Sequence, residues 1–149
     1  MGSSFVSIDH EHGFWMLDGF LEIWLRLLAL HIKDPTEPGS VATKIRDQWL
    51  LASRGYFSGC VPVSMDEAVA TDEGKSIVKN AIHSLLHSLE HGPEMINNDA
   101  LNLLGIEGVR FGSDIEKRRL IEIGNAFLDL IDGKITGTAS DTSFVPGCT

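Results

Sequence analysis

The chain is short of cysteines, short of cations, and without an uninterrupted apolar run of membrane length. Only two of its 149 residues are cysteine, Cys60 and Cys148, so at most one disulfide can form and there is no Cys-x-x-Cys motif. Its 12 lysines and arginines are outnumbered by 21 aspartates and glutamates, which gives a net charge of −9. Because such a chain is repelled by phosphate backbones and anionic lipid surfaces, we expect neither nucleic acid nor a membrane as its ligand.

Features of membrane insertion and secretion are missing as well. The most apolar stretch, FWMLDGFLEIWLRLLALHI, contains Asp18, Glu22 and Arg26 and therefore falls short of a transmembrane helix. The N-terminal residues lack the basic and apolar regions of a secretory signal peptide. Together with the two cysteines, these features predict a soluble, cytoplasmic protein.

The common catalytic motifs do not occur in the sequence. It has no G-x-S-x-G, no glycine-rich phosphate loop, no H-E-x-x-H, no EF-hand loop and no Glu-x-x-His pair of the di-iron bundles. Cys60 has no assignable general base, and we interpret it as structural. No catalytic residue is therefore predicted, and whether the protein is an enzyme stays open.

What the chain does contain is apolar residues at helical spacing. Alternating apolar and polar runs are nearly absent, so the predicted fold class is all-α: a helical bundle of four long helices plus one or two short helices. Ser64 with Glu67, and Ser113 with Glu116, have the spacing of a capping box, and Thr71 offers a second start for the third helix. The predicted long helices cover about residues 11–33, 41–54, 64–91 and 113–132, and a short one covers NDALNLL. We predict a single helical domain over residues 1–135 and a flexible or edge-packed C-terminal tail over residues 136–149.

The wheel of the first predicted helix is mostly apolar, so this helix is expected at the centre of the fold. Gly124 lies within the apolar face of the last helix and indicates the close approach of a neighbouring helix. A narrow polar stripe on the first helix contains Asp18, Glu22, Arg26, Ala29 and Lys33. The buried edge predicted for the second helix contains Val41, Ile45, Trp49 and Ala52.

Three of the six histidines stand four residues apart in HSLLHSLEH, residues 83–91. His83, His87 and His91 lie opposite the apolar face of the third helix, and we call these three residues the histidine rank. Neighbouring histidines of the rank are about 6 Å apart along the helix axis. One transition-metal ion can therefore bind either adjacent pair, whereas the outer two histidines, about 12 Å apart, cannot share an ion. Glu90 adds a carboxylate on the same side. The rank is alternatively a solvated polar face or a contact surface for a partner or a second copy.

A second cluster, Asp9-His10-Glu11-His12, precedes the first long helix. Structural zinc sites use four protein ligands and catalytic sites use three, so a pair on one helix needs ligands from another element. A metal site would therefore combine His83, His87, His91 and Glu90 with His10 and His12. No cofactor is required by the sequence, and an ion bound there would be a divalent transition metal such as zinc or nickel.

Two further residues have two interpretations each. His31 falls within the apolar arc of the first helix, where it is either a neutral histidine donating to a carbonyl or an interior ligand or proton acceptor. Trp15 falls on the polar stripe, where it either belongs to a contact surface or is covered by the N-terminal chain or the tail.

The leading functional hypothesis is a small, acidic, non-catalytic protein-interaction module that binds a basic partner or associates with itself. Inhibitors and immunity-type proteins that neutralise a basic toxin are one subclass. The alternative is a metal-binding helical bundle that uses the histidine rank, with a metal-dependent enzyme as its catalytic form. A third hypothesis is a pH-responsive surface, because protonated neighbouring imidazoles repel one another.

Overall fold

Helices and short strands are combined in this chain. The structure, a computed structural model, describes residues 2–33, 37–53, 65–104 and 111–142. In these ranges the order of elements is β1 (Ser3–Ser7), β2 (Gly13–Leu17), α1 (Asp18–Leu30), α2 (Val41–Ala52), α3 (Met65–Ala68), α4 (Asp72–Glu90), β3 (Met95–Ile96), α5 (Asn98–Leu104), β4 (Ile115–Glu116) and α6 (Lys117–Ile131). The predicted all-α class is therefore wrong, because two small antiparallel sheets, β1–β2 and β3–β4, accompany the helices. The interpretations of Arg54, Cys60, Ser64 and Cys148 concern positions outside the described residues.

A β-hairpin replaces the first two turns of the predicted first helix. Strands β1 and β2 pair antiparallel, with Ser7 opposite Gly13 at the turn. The Asp9 carboxylate accepts hydrogen bonds from the backbone N–H groups of Glu11 and His12 at 2.9 and 2.7 Å, which stabilises a turn where a helix start was predicted. Gly13 permits close pairing, because a Cβ there would lie 1.9 Å from the Val6 carbonyl oxygen.

Helix α1 is central, as predicted, and packs against α2, α4, α5 and β2. Three aromatic rings join the hairpin to the helices: the Phe127 centroid lies 5.4 Å from that of Phe14 and 5.6 Å from that of Trp24. The close approach predicted at Gly124 is confirmed, since a Cβ there would stand 2.6 Å from Leu86 Cδ2 and 3.0 Å from the Trp24 ring. The main core thus lies where α1, α4, α6 and the hairpin meet.

Helices α4 and α6 pack side by side in opposite directions. Lys79, in the first half of α4, pairs with Asp132 at the end of α6 at 2.8 Å, while Lys117, which begins α6, donates to the Glu90 carbonyl at the end of α4 at 3.0 Å. The start predicted at Thr71 is confirmed, because its hydroxyl accepts from the Gly74 N–H at 3.1 Å. The predicted apolar face of α4 is buried or half-buried at Ile77, Val78, Ala81, Ile82, Leu85, Leu86 and Leu89.

The capping box predicted at Ser113 and Glu116 is wrong. Helix α6 begins only at Lys117, and Glu116 makes no side-chain cap. Residues 115–116 instead form β4, in which Ile115 pairs with Ile96 and packs with Ile23 and Leu101 in a small second core. The backbone at Ile115 is therefore extended, because the strand pairing buries this side chain at a position where a helix was expected.

The C-terminal residues in the described part lie along the outer edge of β2. The Gly13 N–H donates to the Gly137 carbonyl at 2.8 Å, and His12 forms an antiparallel bridge with Thr138. The Trp15 indole donates to the Ala139 carbonyl at 3.0 Å, so the tail covers this side chain. The domain limits at residues 135 and 136 stay predictions. None of the helices in the four described ranges has both the length and the apolar composition needed to cross a bilayer.

Candidate functional site

The histidine rank lies on the exposed face of α4, as its spacing predicts. His83, His87 and His91 are all exposed. The rings of His87 and His91 contact each other at a tilt of 41°, with centroids 4.3 Å apart, and His91 Nδ1 donates to the His87 carbonyl at 2.9 Å. Because a carbonyl oxygen only accepts, Nδ1 carries the proton, and His91 thereby caps the last turn of α4. One imidazole of the rank thus has a local structural role.

The second cluster forms the turn between β1 and β2. His12 Nδ1 bonds Asp9 Oδ2 at 2.8 Å, and this bond holds the pKa of Asp9 well below its usual range and raises the pKa of His12. His10 has a φ of 64°, in the left-handed region, and its Nε2 lies 2.9 Å from Asp66 Oδ2 of α3. The turn is thus attached to α3, immediately ahead of α4.

The two histidine clusters lie near opposite ends of α4. His10 contacts α3 before α4 begins at Asp72, whereas His83 lies roughly 16 Å along the axis from that start, at about 1.5 Å per residue. Among the residues that the structure describes, no group of three or more histidine, cysteine, aspartate or glutamate side chains could hold a metal ion. The metal site with Glu90 stays a prediction, and the two clusters do not meet to form it.

Carboxylates gather at the end of the molecule opposite the rank. We call this the acidic end. It comprises the β1–β2 turn, α3 and the first turn of α4, with Asp9, Glu11, Asp66, Glu67, Asp72 and Glu73. Lys117 and Arg118 stand at the far end of α4 instead, where Lys117 donates to the Glu90 carbonyl. There Lys117 also pairs with Glu94 at 3.3 Å, so cations and carboxylates are mixed at that end, whereas Asp72 and Glu73 lie in the first turn of α4, where the helix dipole favours negative charge.

A cleft opens at the acidic end, between α2 and the α3–α4 junction. Its volume is about 210 Å³, and its lining is mostly apolar. Four of its residues share one face of α2, at the i, i+3, i+4, i+7 spacing of a helical stripe. The lining consists of Val41, Lys44, Ile45 and Gln48 from α2, Glu67 and Ala68 from α3, and Thr71. Val41, predicted to be buried, is half-buried because it lines this cleft.

Both walls of the cleft are fixed by local hydrogen bonds. The Ser40 hydroxyl caps α2 by accepting from the Thr43 N–H at 3.2 Å, and Thr71 caps α4. Gln48 Nε2 donates to Glu67 Oε2 at 3.2 Å and joins the walls directly. These hydrogen bonds hold the starts of α2 and α4 and link the two walls of the cleft.

The polar stripe of α1 is buried at Glu22 and Ala29, half-buried at Asp18 and Arg26, and exposed at Lys33. Arg26 donates through Nε to Ser53 Oγ at 3.3 Å and through Nη1 to the Leu104 carbonyl, while Ser4 Oγ donates to Asp18 Oδ1 at 2.6 Å. Glu22, between them, is only 9% exposed. Burial raises the pKa of Glu22, the charge of Asp18 raises it further, and the charge of Arg26 opposes both. The sequence predicted this stripe but gave no sign that Glu22 is buried.

Replacing Glu22 by glutamine is expected to raise the free energy of unfolding by about 1 kcal/mol at neutral pH, because the buried charge is removed. Its folded pKa lies above the ordinary 4.5, so the folded state retains the proton to higher pH than the unfolded state does. The stability of the natural protein therefore falls as pH rises from about 4.5 through the folded pKa. Urea titrations of both proteins across this range measure the effect. If E22Q were still more stable than the natural protein below about pH 4.5, where Glu22 is protonated in both states, the buried charge would not be the cause of the difference.

Sequence reasoning missed the functional potential of Lys44, Gln48, Glu67 and Thr71. Lys44 and Gln48 are not part of the buried edge predicted for the second helix, and Glu67 and Thr71 were interpreted only as capping residues. His31 is confirmed as a helix-end residue, at the C-terminal cap of α1, and burial lowers its pKa, although its Nδ1 contacts Ser84 Oγ at 2.9 Å instead of a carbonyl.

Comparisons with protein-family models, with curated proteins and with solved structures found no match to this chain.

Proposed function

We propose that this chain is an acidic protein-interaction module that binds a basic protein partner through its acidic end. The observation that carries the proposal is the combination, at one end, of clustered carboxylates and an open, mostly apolar cleft. Asp72 and Glu73 form no ion pair with the described residues, so their charge is available to a partner. The negative electrostatic potential of these carboxylates accelerates association with positively charged proteins and disfavours negatively charged ones.

Inhibitors and immunity-type proteins are one subclass of this function, and a cytoplasmic location suits it. The metal-binding alternative has less support, because one imidazole of the rank caps α4 and the two histidine clusters lie near opposite ends of that helix.

The test uses charge reversal with a matched control. One variant carries Asp72→Lys and Glu73→Lys, and the control carries Glu122→Lys and Asp129→Lys on α6. Two reversals of +2 change the net charge from −9 to −5 in both variants, and the control additionally loses the exposed pairs of Glu122 with Arg118 and of Asp129 with Lys134. Lysines at the start of α4 interact unfavourably with the helix dipole, at a cost of about 0.3–1 kcal/mol in the free energy of unfolding. Circular dichroism is therefore used to verify that each variant is folded.

Immobilised natural protein is expected to retain proteins with an isoelectric point above about 9 from an extract of the native host, and to release them as salt shortens the Debye length. The acidic-end variant should lose most of this retention, and the α6 control should keep it. Equal losses in the two variants would reduce the effect to net charge and contradict a specific surface.

A further inference from the structure

The volume of the cleft restricts what it can hold. It is about 210 Å³. Pockets for cofactors and drug-sized molecules are larger, about 300–1,000 Å³, and have several convergent polar groups. Here the Thr71 hydroxyl is engaged by the Gly74 N–H and Gln48 Nε2 is engaged by Glu67. The cleft is thus suited to a single side chain.

The floor of the cleft specifies an apolar side chain. Val41 and Ile45 from α2 and Ala68 from α3 contribute hydrocarbon, and Ile45 and Ala68 are only 3% and 4% exposed. Removing apolar surface from water is favourable in proportion to its area, and a preformed floor needs no rearrangement to receive it. Rigid apolar pockets of this kind commonly hold the anchor residue of a protein interface.

The rim specifies positive charge on the residues that flank this anchor. Glu67 Oε2 accepts from Gln48, while Glu67 Oε1 makes no hydrogen bond with the described residues. Thr71, which lines the cleft, is followed directly by Asp72 and Glu73 in the first turn of α4. A chain segment that places its apolar side chain on the floor therefore passes carboxylates on the α3–α4 side.

We propose that the cleft is the anchor site for one apolar side chain of a lysine- or arginine-rich segment of a protein partner. This inference rests on the proposed function and names the residues that recognise the partner. Apolar contact with Val41, Ile45 and Ala68 supplies the anchor, and Glu67, Asp72 and Glu73 attract the flanking cations.

Lys44 makes the charge of the two cleft walls unequal. It lines the α2 wall, opposite Glu67, and its ammonium makes no hydrogen bond or ion pair with the described residues. A cation of the partner is repelled on the α2 wall and attracted on the α3–α4 wall. Removing the Lys44 charge should therefore strengthen the binding of a basic segment.

The probes are acetylated and amidated pentapeptides with two lysines on each side of a central leucine or glycine. Amide chemical shifts of the ¹⁵N-labelled protein are recorded during titration in about 10 mM salt, where the Debye length is about 30 Å. The leucine peptide is expected to shift the amides of Ile45, Ala68 and Thr71 and to bind about tenfold more tightly than the glycine peptide, a difference of about 1.4 kcal/mol.

Matched variants separate the anchor from the charge. Glu67→Lys should weaken the leucine peptide about tenfold, whereas Asp47→Lys, the same change on α2 outside the cleft, should alter it by less than about twofold. Val41→Ser should weaken only the leucine peptide, while Leu51→Ser, at a site that is 55% exposed on the same helix, should have no effect. Lys44→Gln should strengthen both peptides.

Three results would overturn the anchor site. Equal affinity of the two peptides, with shifts at Asp72 and Glu73 alone, would leave the acidic end as a binding surface and remove the anchor. No shift with either peptide would remove the cleft as a site, while the charge-reversal experiment still tests the proposed function. Concentration-dependent dimerisation that shifts the same amides without peptide would assign the cleft to a second copy of this chain.

Discussion

Replacing Phe127 by alanine is expected to lower the free energy of unfolding by about 3–5 kcal/mol. The ring is fully buried and lies between Phe14 of β2 and Trp24 of α1, with centroid distances of 5.4 and 5.6 Å. Its removal leaves a cavity where the hairpin, α1 and α6 meet, and the lost ring contacts add to the lost burial. Urea unfolding followed by circular dichroism measures the change.

Leu103→Ala is the control for this prediction. Leu103 is 86% exposed on α5, so its truncation is expected to change the free energy of unfolding by no more than about 0.5 kcal/mol. Losses of similar size in the two variants would mean that the three rings do not form the main core.

The second large effect is expected at Gly74, in the first turn of α4. A Cβ there would lie 2.1 Å from the Ala68 carbonyl oxygen, which is backbone and cannot rotate away as a side chain can. Gly74→Ala should therefore destabilise the protein by about 2 kcal/mol, although glycine-to-alanine changes within helices ordinarily stabilise by about 0.5–1 kcal/mol. Because Ala68 and Thr71 line the cleft, the same change should also weaken the leucine peptide.

Gly112→Ala is the matched control, since a Cβ at Gly112 meets nothing within 4 Å. It should leave both the unfolding free energy and the peptide affinity nearly unchanged. A Gly74→Ala protein that is more stable than the natural one would show that α3 and α4 are not held as closely as their backbones indicate.

Helices with one apolar face were predictable from the sequence, and strands beside apolar runs were not. In α4 the period of 3.6 residues separates the buried side from the side of His83 and His87, so both burial and exposure follow from spacing. In β2 the sequence GFWML contains consecutive apolar residues, and the alternation of burial depends on pairing with β1. Pairing with Ile96 of β3 also determines the extended conformation of Ile115, where the local capping residues predicted a helix.

The candidate site was predictable only in its sign of charge. The excess of carboxylates indicated a basic partner, but carboxylates distant in the chain form one end because the β1–β2 turn is attached to α3 through His10 and Asp66. The cleft joins residues of α2 to Glu67, Ala68 and Thr71, and no local pattern encodes such a juxtaposition. The histidine rank was conspicuous for the opposite reason, since all of its members belong to one helix.

The contact between the tail and β2 has a consequence for the order of folding. Trp15 and Ala139 are 124 residues apart in the chain, so their hydrogen bond closes a loop that contains almost every other element. Contacts between distant residues carry the full entropy of loop closure and form after local ones, such as the β1–β2 hairpin and the individual helices. We therefore expect the edge of β2 to be completed late in folding and to open early in local unfolding, which amide hydrogen exchange at Gly13 and Trp15 would measure.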